Sequence, residues 1–592
     1  MLVRRHVPRL ESTLRARTYA HVPPHAHAHA HAHARAHAYA LRPLLASQCT
    51  RPRFSSTSTA HPERIAVLGG GIAGLSSAYF ASKEFPNSNI TVYESGPDTG
   101  GWIRSKKVEV PGGHVLFESG PRTLRNATPT AHLMQELGLI DDMIFTKRTE
   151  AGAKNRFIYY PDRLNRLPSE APGIGELFSL WRSGILDGSL GMVKEPLQPK
   201  RSVSLSDETV GSFLERRIDK RIANNIISAV FHGIYAGDIW QLSAKTLLSM
   251  AWQLEGKYGT ALGGFFRMQS EQQNSHQQVI AHPYDVEVAR ALNSDIDISL
   301  ELAKNLKEAS MFSFKNGLQT LVKGLQDAME KTGNIEIKVN SPVASFKMAE
   351  GQEQKVEIIA GSDANKTIEN YDVVISTLRN ASLTPYVTVM TVNLYYDNPN
   401  LLSVEGFGYL IPQSVPFEQN PERALGVIFD NSALKGQDTA PGTKLTVMMG
   451  GHWWNGFEGY PDEEEGLEMA RAVVERHLGI KDTPIAHHVN LSKDCIPQYT
   501  VGYEDRLKEF AASLQDEFKG RLRVVGNQFN GVGVNDCITG AWNIARGLRG
   551  DGWKSRSCGL DRVLDSRPWV VLNACDMAYK KRDNSKSDPF KS

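Results

Sequence analysis

The sequence predicts an α/β protein whose principal domain is assembled from both ends of the chain, with a second part inserted between them. Three observations carry this. A short apolar strand, Arg64-Ile65-Ala66-Val67-Leu68, runs into a glycine-rich turn and then a helical start. Far downstream, Leu522-Arg523-Val524-Val525-Gly526-Asn527 repeats the strand-to-loop transition and leads to a helical run over 539–545. Between them lies most of a 592-residue chain, long enough for roughly three or four ordinary domains or two large ones.

Composition narrows the class. Hydrophobic residues make up 41% and charged residues 22%, which excludes a disordered, collagen-like or disulfide-scaffold protein. Lys+Arg 67 against Asp+Glu 65 leaves +2, so charge predicts no nucleic-acid partner. No apolar run approaches about 18 residues, so a spanning helix is not expected, and attachment to a membrane surface stays open. Cys49, Cys495, Cys537, Cys558 and Cys575 are scattered and form no C-x-x-C pair. The chain therefore reads as reduced and intracellular.

Residues 1–62 are a separate object. They hold nine Arg, no Lys and one acid, Glu11. Arg-rich, acid-poor composition ahead of the first strand is that of an organellar transit peptide, mitochondrial or chloroplast. Arg53 stands at the second position before a cut after Phe54. The alternating tract from His25 to His33 has the side chains to chelate nickel, copper or zinc, and equally reads as low-complexity sequence within a removed leader.

The first strand is followed by Gly69-Gly70-Gly71-Ile72-Ala73-Gly74, a G-x-G-x-x-G turn entering a helix. Its logic is close approach. One glycine makes the turn, one lets backbone near a pyrophosphate, and one permits helix–strand packing, while the helix N-terminus offers N–H groups and positive dipole to phosphate. A second strand, Ile90-Thr91-Val92-Tyr93, ends at Glu94, twenty residues beyond Gly74. A carboxylate at that spacing accepts ribose hydroxyls. Ser95 follows it, and Gly100-Gly101-Trp102-Ile103-Arg104-Ser105 comes shortly after. Downstream, Val532-Gly533-Val534 precedes another helix N-terminus, suited to the electron-rich end of a flavin.

The extended pattern, strand, Gly-Gly-Gly-Ile-Ala-Gly-Leu, helix, strand, Glu, Gly-Gly and Arg-Ser, resembles the FAD fold of the monoamine oxidase and phytoene desaturase superfamily. From about residue 64 to 547 the chain resembles one family within it, the mitochondrial protoporphyrinogen oxidases. Seven motifs in order carry the resemblance: 101–105; Phe117-Glu118-Ser119-Gly120-Pro121-Arg122-Thr123; Lys154-Asn155-Arg156-Phe157-Ile158-Tyr159; Gly233-Ile234-Tyr235-Ala236-Gly237-Asp238; Ser313-Phe314-Lys315-Asn316-Gly317-Leu318; Cys495-Ile496-Pro497-Gln498-Tyr499; and 533–538.

The resemblance implies a discontinuous Rossmann-like FAD-binding domain, an inserted mixed-sheet substrate domain and a helical membrane-associating domain. We divide the chain into a leader (1–62), FAD-binding segments (63–125, 301–378, 516–550), a helical membrane-associating and substrate region (126–300) and a substrate domain (379–515). The implied reaction is the penultimate step of haem biosynthesis. It removes six electrons from protoporphyrinogen IX in three flavin cycles and passes them to molecular oxygen, giving hydrogen peroxide. The implied cofactor is one non-covalent FAD per chain, and the implied place is the surface of the mitochondrial inner membrane, without a span. Ferrochelatase and a second copy of the chain are the candidate protein partners. Since hydride moves to the flavin, no catalytic side chain and no metal are nominated.

The resemblance also assigns residues. Gly69, Gly70, Gly71, Ile72, Ala73, Gly74, Glu94, Ser95, Gly101, Trp102, Gly120, Pro121, Arg122, Thr123, Val343, Val532, Gly533 and Val534 are expected at the cofactor. Arg156, Phe429 and Leu434 are expected at the substrate, Arg156 by pairing with a propionate. Each has a plainer alternative. Arg156 also suits a structural ion pair, Arg122 a loop hydrogen bond, Val343 a strand end after Pro342, and Phe429 and Leu434 ordinary core. Two other functions stay open: another flavin amine oxidase or desaturase, and a tetrapyrrole-binding flavoprotein that does not turn over. The second rests on a connection after Leu378 that is shorter than the family's. Residues 551–592 match nothing in the family and are expected to form a disordered tail, although 568–573 has the composition to pack. The polar stretch 255–300 is expected as an exposed loop.

Overall fold

The structure, a computed structural model, describes residues 61–168, 173–270, 277–351, 354–362 and 365–574. Residues 1–60, which include the His–Ala tract, and the residues beyond 574 lie outside the described residues. Two sheets organise the rest. The first has five parallel strands in the order Ile335–Lys338, Asn89–Tyr93, Arg64–Leu68, Val373–Ser376 and Leu522–Val524. All three segments assigned to the FAD-binding part contribute strands to it. Its inner strands Arg64–Leu68 and Val373–Ser376 are nearly continuous apolar runs because both faces are covered, whereas the edge strand Ile335–Lys338 alternates with charged residues. Ile65 and Val67 pack towards the helix Ile72–Glu84, and Ala66 and Leu68 enter a second core that includes Phe231 and Tyr235.

The second sheet has seven strands in the order Ala486–Pro497, Tyr386–Tyr396, Thr443–Gly450, Ala424–Phe429, Gly408–Leu410, Arg156–Tyr159 and Leu164–Leu167. It is mixed, because Gly408–Leu410 runs parallel to Arg156–Tyr159 while its other pairs are antiparallel. Period-two alternation gives it two unlike faces. Met390, Val392, Leu394, Val427, Phe429, Leu445 and Val447 form one core with Ala470, Val473 and Val474 of the helix Glu463–Leu478. Thr391, Asn393 and Thr446 alternate with them and face the first domain.

Residues 174–270 are mainly helical. A buried ionic network holds this region: Glu195 accepts from Arg217, and Glu255 accepts from Arg201 at 3.1 Å and Arg216 at 2.5 Å. Outside it, the helices Ile174–Arg182 and Leu190–Lys194 and the following turn expose large apolar side chains. Phe178 is 58%, Trp181 66% and Leu197 86% exposed. No described helix is long and apolar enough to cross a membrane.

Two expectations need correction. The stretch 255–300 is not a loop, since helices Ser249–Tyr258, Leu262–Ser270 and Pro283–Asp295 and the strand Gln278–Ala281 occupy it; the glutamine-rich 271–276 lies outside the described residues. Nor is the whole of 551–592 a loose tail. Cys558 and Leu560 are buried, Val570–Asn573 pairs antiparallel with Gln278–Ala281, and Arg562 meets Asp285 at 2.9 Å. Partners almost three hundred residues away satisfy this segment's backbone and charge, which no local pattern announces.

Candidate cofactor and substrate site

The strands Arg64–Leu68, Val373–Ser376 and Leu522–Val524 end side by side, where an open parallel sheet places its ligand crevice. The glycine turn leaves the first strand with Gly69 N–H donating to Tyr93 O at 2.8 Å. The Thr377 hydroxyl, after the second strand, donates to Leu68 O at 2.8 Å. Gly526, after the third, comes close enough that a Cβ there would lie 3.9 Å from the Ala73 methyl. Gly74 is compulsory, because a Cβ on it would stand 1.8 Å from Gly69 O. The helix begins at Ile72 with Gly71 as an extended N-cap and no side-chain cap, so its first-turn N–H groups have no side-chain acceptor.

Glu94 stands at the carboxyl end of the second strand. Its carboxylate accepts from Gly70 N–H at 2.8 Å, Gly96 N–H at 2.7 Å and the Ser95 hydroxyl at 3.2 Å. Ser341 N–H donates to Glu94 O at 2.8 Å, so the segment leading to Val343 is tethered beside it. Val343 itself opens a strand and pairs with Ala360. The Gly100–Gly101 turn crosses the first turn, with Gly100 N–H on Gly70 O at 2.8 Å, and exposes Trp102.

The Gly120–Thr123 segment and the Val532–Val534 segment are brought together by Asn535. Its amide donates to Arg125 O at 2.8 Å, and its oxygen accepts from Thr130 at 2.8 Å. Gly533 N–H is held by Asp536 at 2.9 Å at the start of the helix Val534–Gly550. Arg122 crosses to the inner face of the second sheet. It donates to Asp430 at 2.5 Å and Thr446 at 2.8 Å, beside Asn393. The side chain thus makes the loop-fixing contact weighed from sequence.

Phe429 is a correction. It is buried on the outer face with Phe157 and Tyr409, beneath the helix Glu463–Leu478, and cannot touch a substrate on the inner face. Which strand parity faces inwards depends on what covers each side, and sequence alternation leaves that unstated. Leu434 follows the short helical turn that begins at Asp430 and is buried. Arg156 alternates with the outward-facing Phe157, so it leaves the strand from the inner face. Its guanidinium lies 5.0 Å from the centre of the Phe407 ring. Asn155 fixes that corner through Glu405 O at 2.9 Å and Phe407 N–H at 2.9 Å.

Sequence reasoning missed Glu118, although it lies within a quoted motif. It is 4% exposed, accepts from Ser105 at 2.7 Å and from Leu318 N–H at 2.7 Å, and so joins three motifs at the N-terminus of the helix Gln319–Thr332. Burial pushes its carboxyl up to about 7, against the opposing pull of the Ser105 and Leu318 bonds and of Arg122 and Lys444. Two further motifs join through Gln498, whose amide donates to Tyr235 O at 2.8 Å.

These residues fit a flavin dinucleotide. Among neighbouring atoms, the nearest to a Cβ built on Gly71 would be Gly101 Cα, at 4.0 Å, so the two glycine turns form a cradle with no side chain in it. An uncapped helix start, a carboxylate fixed by backbone N–H groups and a second helix start border the same crevice, donors for a diphosphate and a flavin ring and an acceptor for ribose hydroxyls.

Comparison with known proteins agrees with the geometry. The sequence model of the flavin containing amine oxidoreductase family matches residues 72–548. The protoporphyrinogen oxidase of Schizosaccharomyces pombe is 34% identical over 500 residues, covering 82% of this chain and 98% of that protein. The Homo sapiens protoporphyrinogen oxidase is 30% identical, covering 80% of this chain and 96% of that protein. A provisionally assigned protoporphyrinogen oxidase from Exiguobacterium sp. 255-15 shares the fold, with TM-score 0.61, 19% identity and coverage of 83% of this chain and 99% of that one.

Proposed function

We propose, on the premise that this chain belongs to the flavin containing amine oxidoreductase family and to its protoporphyrinogen oxidases, that it oxidises protoporphyrinogen IX to protoporphyrin IX in haem biosynthesis, with FAD as cofactor and oxygen as acceptor. The observation that carries this is the match to protoporphyrinogen oxidases along almost their whole length. Bound FAD supplies the hydride acceptor. The chain's own residues bind and orient. The helix start at Ile72 serves the diphosphate, Glu94 the ribose, and the helix start at Val534 the ring. Arg156 pairs with a propionate and so chooses which carbon of the macrocycle is presented. The Arg122–Asp430–Thr446 contacts hold the cofactor loop against the sheet. The segment boundaries and the roles of Ser95, Trp102, Pro121, Thr123, Val343 and Leu434 belong to the same proposal.

The finer place of action is also a proposal: the mitochondrial inner membrane surface, reached through the Arg-rich leader. The exposed pair Phe178 and Trp181, and the exposed Leu197, support surface docking, because such side chains favour the headgroup–acyl boundary over water. Ferrochelatase or a second copy of the chain remain the partners to test there.

The alternative of a flavoprotein that binds tetrapyrrole without turnover has one feature in its favour, the short connection after Leu378. In the structure it is one tight turn, with Asn380 N–H on the Gln528 side chain at 2.8 Å and the Gln528 amide on Asn380 O at 2.7 Å. One assay separates all three readings. FAD-loaded protein is mixed with protoporphyrinogen IX or with primary amines, and porphyrin fluorescence and oxygen uptake are followed. Porphyrin formation with matching oxygen uptake is expected. Turnover of amines alone would move the chain to another oxidase, and porphyrinogen binding without turnover would favour the inactive reading.

A further inference from the structure

A cavity of about 620 Å³ lies between the helices Pro283–Asp295 and Val534–Gly550 and the segment that follows Gly550. It is distinct from the crevice above, being lined at the far end of the helix whose start borders that crevice. Its floor is Arg523, only 1% exposed. Its one described hydrogen bond is from Nη2 to the Ser555 hydroxyl at 3.0 Å. Nε is buried without a partner, and no described carboxylate comes within ion-pair distance. Burial accordingly pulls its pKa down to about 10, while the more distant Asp561 and Asp551 pull it back. A buried guanidinium without a counter-ion is destabilising, and a cavity beside it is the place where a ligand would offset that penalty.

The lining says which ligand. Asp551 is exposed at the mouth, and Asp561 lines the wall, where one carboxylate oxygen accepts from the Ser557 hydroxyl at 2.5 Å and the other is left for a ligand. Val288, Ile544 and the Tyr284 ring supply apolar surface. Three other charged groups line the cavity: Arg546 is engaged by Asp295 at 3.3 Å, Glu287 by Arg567 at 2.5 Å, and Arg290 adds a further guanidinium to the wall. We propose that this cavity is a binding site for a small zwitterion with an apolar body, of the α-amino-acid class. Its carboxylate pairs with Arg523, its ammonium group is directed towards Asp551 and Asp561, and its side chain lies against Val288 and Ile544. A bare anion is a poorer match because it leaves Asp551 and Asp561 unmatched, and a bare cation because it leaves Arg523 unmatched. The volume falls within the range usual for small-molecule sites.

The test uses FAD-loaded full-length protein and three probes of one shape: L-phenylalanine, 3-phenylpropionate, which lacks the ammonium, and phenethylamine, which lacks the carboxylate. Calorimetric titration should show saturable binding of L-phenylalanine, with each analogue weaker by about tenfold or more, one charge-assisted contact being lost. Arg523→Gln should abolish binding. Because that variant can fail to fold, Gly547→Leu is the second. A Cβ on Gly547 lies no nearer than 3.7 Å to Asp551 and 4.0 Å to Arg523, so its side chain enters the cavity without striking backbone. It should block binding while FAD content and oxidase turnover stay normal. No saturable binding of L-phenylalanine, equal binding of either analogue, or undiminished binding by Gly547→Leu would each overturn the proposal.

Discussion

Replacing Glu118 by Gln should leave the protein unchanged in acid and make it more stable above neutrality. The carboxyl is 4% exposed and held up to about 7, against an ordinary 4.5. As pH rises through 4.5 the unfolded chain releases this proton, while the folded chain keeps it until about pH 7. Between those values the folded state loses about 1.4 kcal/mol per pH unit relative to the unfolded one. Across the window this amounts to roughly 3 kcal/mol. An amide keeps an oxygen for Leu318 N–H and has no proton to lose. The stability of Glu118→Gln minus that of the parent should therefore climb by about 3 kcal/mol from pH 4.5 to 8, a gain fully established only above pH 7. For a cooperative unit of roughly 500 residues, this is about 3 °C in Tm. Paired melts of the FAD-loaded proteins at one scan rate measure it, and groups common to both cancel in the difference. A difference that is flat with pH, or that falls as pH rises, would refute the reasoning, since the charged form would then be the one the fold favours.

Three other outcomes follow, two from the site and one from the exposed apolar patch. Glu94→Ala removes the acceptor for Gly70 and Gly96 N–H as well as the ribose partner, so FAD should dissociate about ten- to a hundredfold more readily, measured by flavin fluorescence on dilution. Arg156→Ala should raise KM for protoporphyrinogen by about ten- to a hundredfold at normal FAD content, with Arg156→Lys recovering part because the planar fork is lost; loss of FAD with an unchanged KM would make the residue structural. Trp181→Asp together with Phe178→Asp should abolish sedimentation with vesicles of inner-membrane composition and spare soluble turnover, as both rings are more than half exposed and lie against each other rather than in the core.

Legibility in the sequence tracked how local the determinants were. The strand Arg64–Leu68, the turn 69–74, the helix after it and the strand ending at Glu94 are legible because spacing within thirty residues sets them. Phe429 was misplaced for the opposite reason: alternation shows that a strand has two faces, while only the distant helix Glu463–Leu478 decides which is covered. Glu118 was passed over because its partners, Ser105 and Leu318, lie on either side of it in the chain, the second two hundred residues away. The stretch 570–573 was read as able to pack but given no place, since the strand it needs, Gln278–Ala281, lies hundreds of residues upstream.

The first sheet is threaded from three separated stretches of chain, and this sets a clock on the protein's making. The glycine turn leaves the ribosome early, but the strand Leu522–Val524 and the helix Val534–Gly550 come hundreds of residues later. At about 5–20 residues per second, that interval is roughly half a minute to a minute and a half. Throughout it the strand Val373–Ser376, once made, has an open edge, and the crevice has only part of its wall. Such edges invite pairing with other chains. The nascent protein thus needs protection until the strand Leu522–Val524 has been made, and the crevice gains its last wall only when the helix Val534–Gly550 follows.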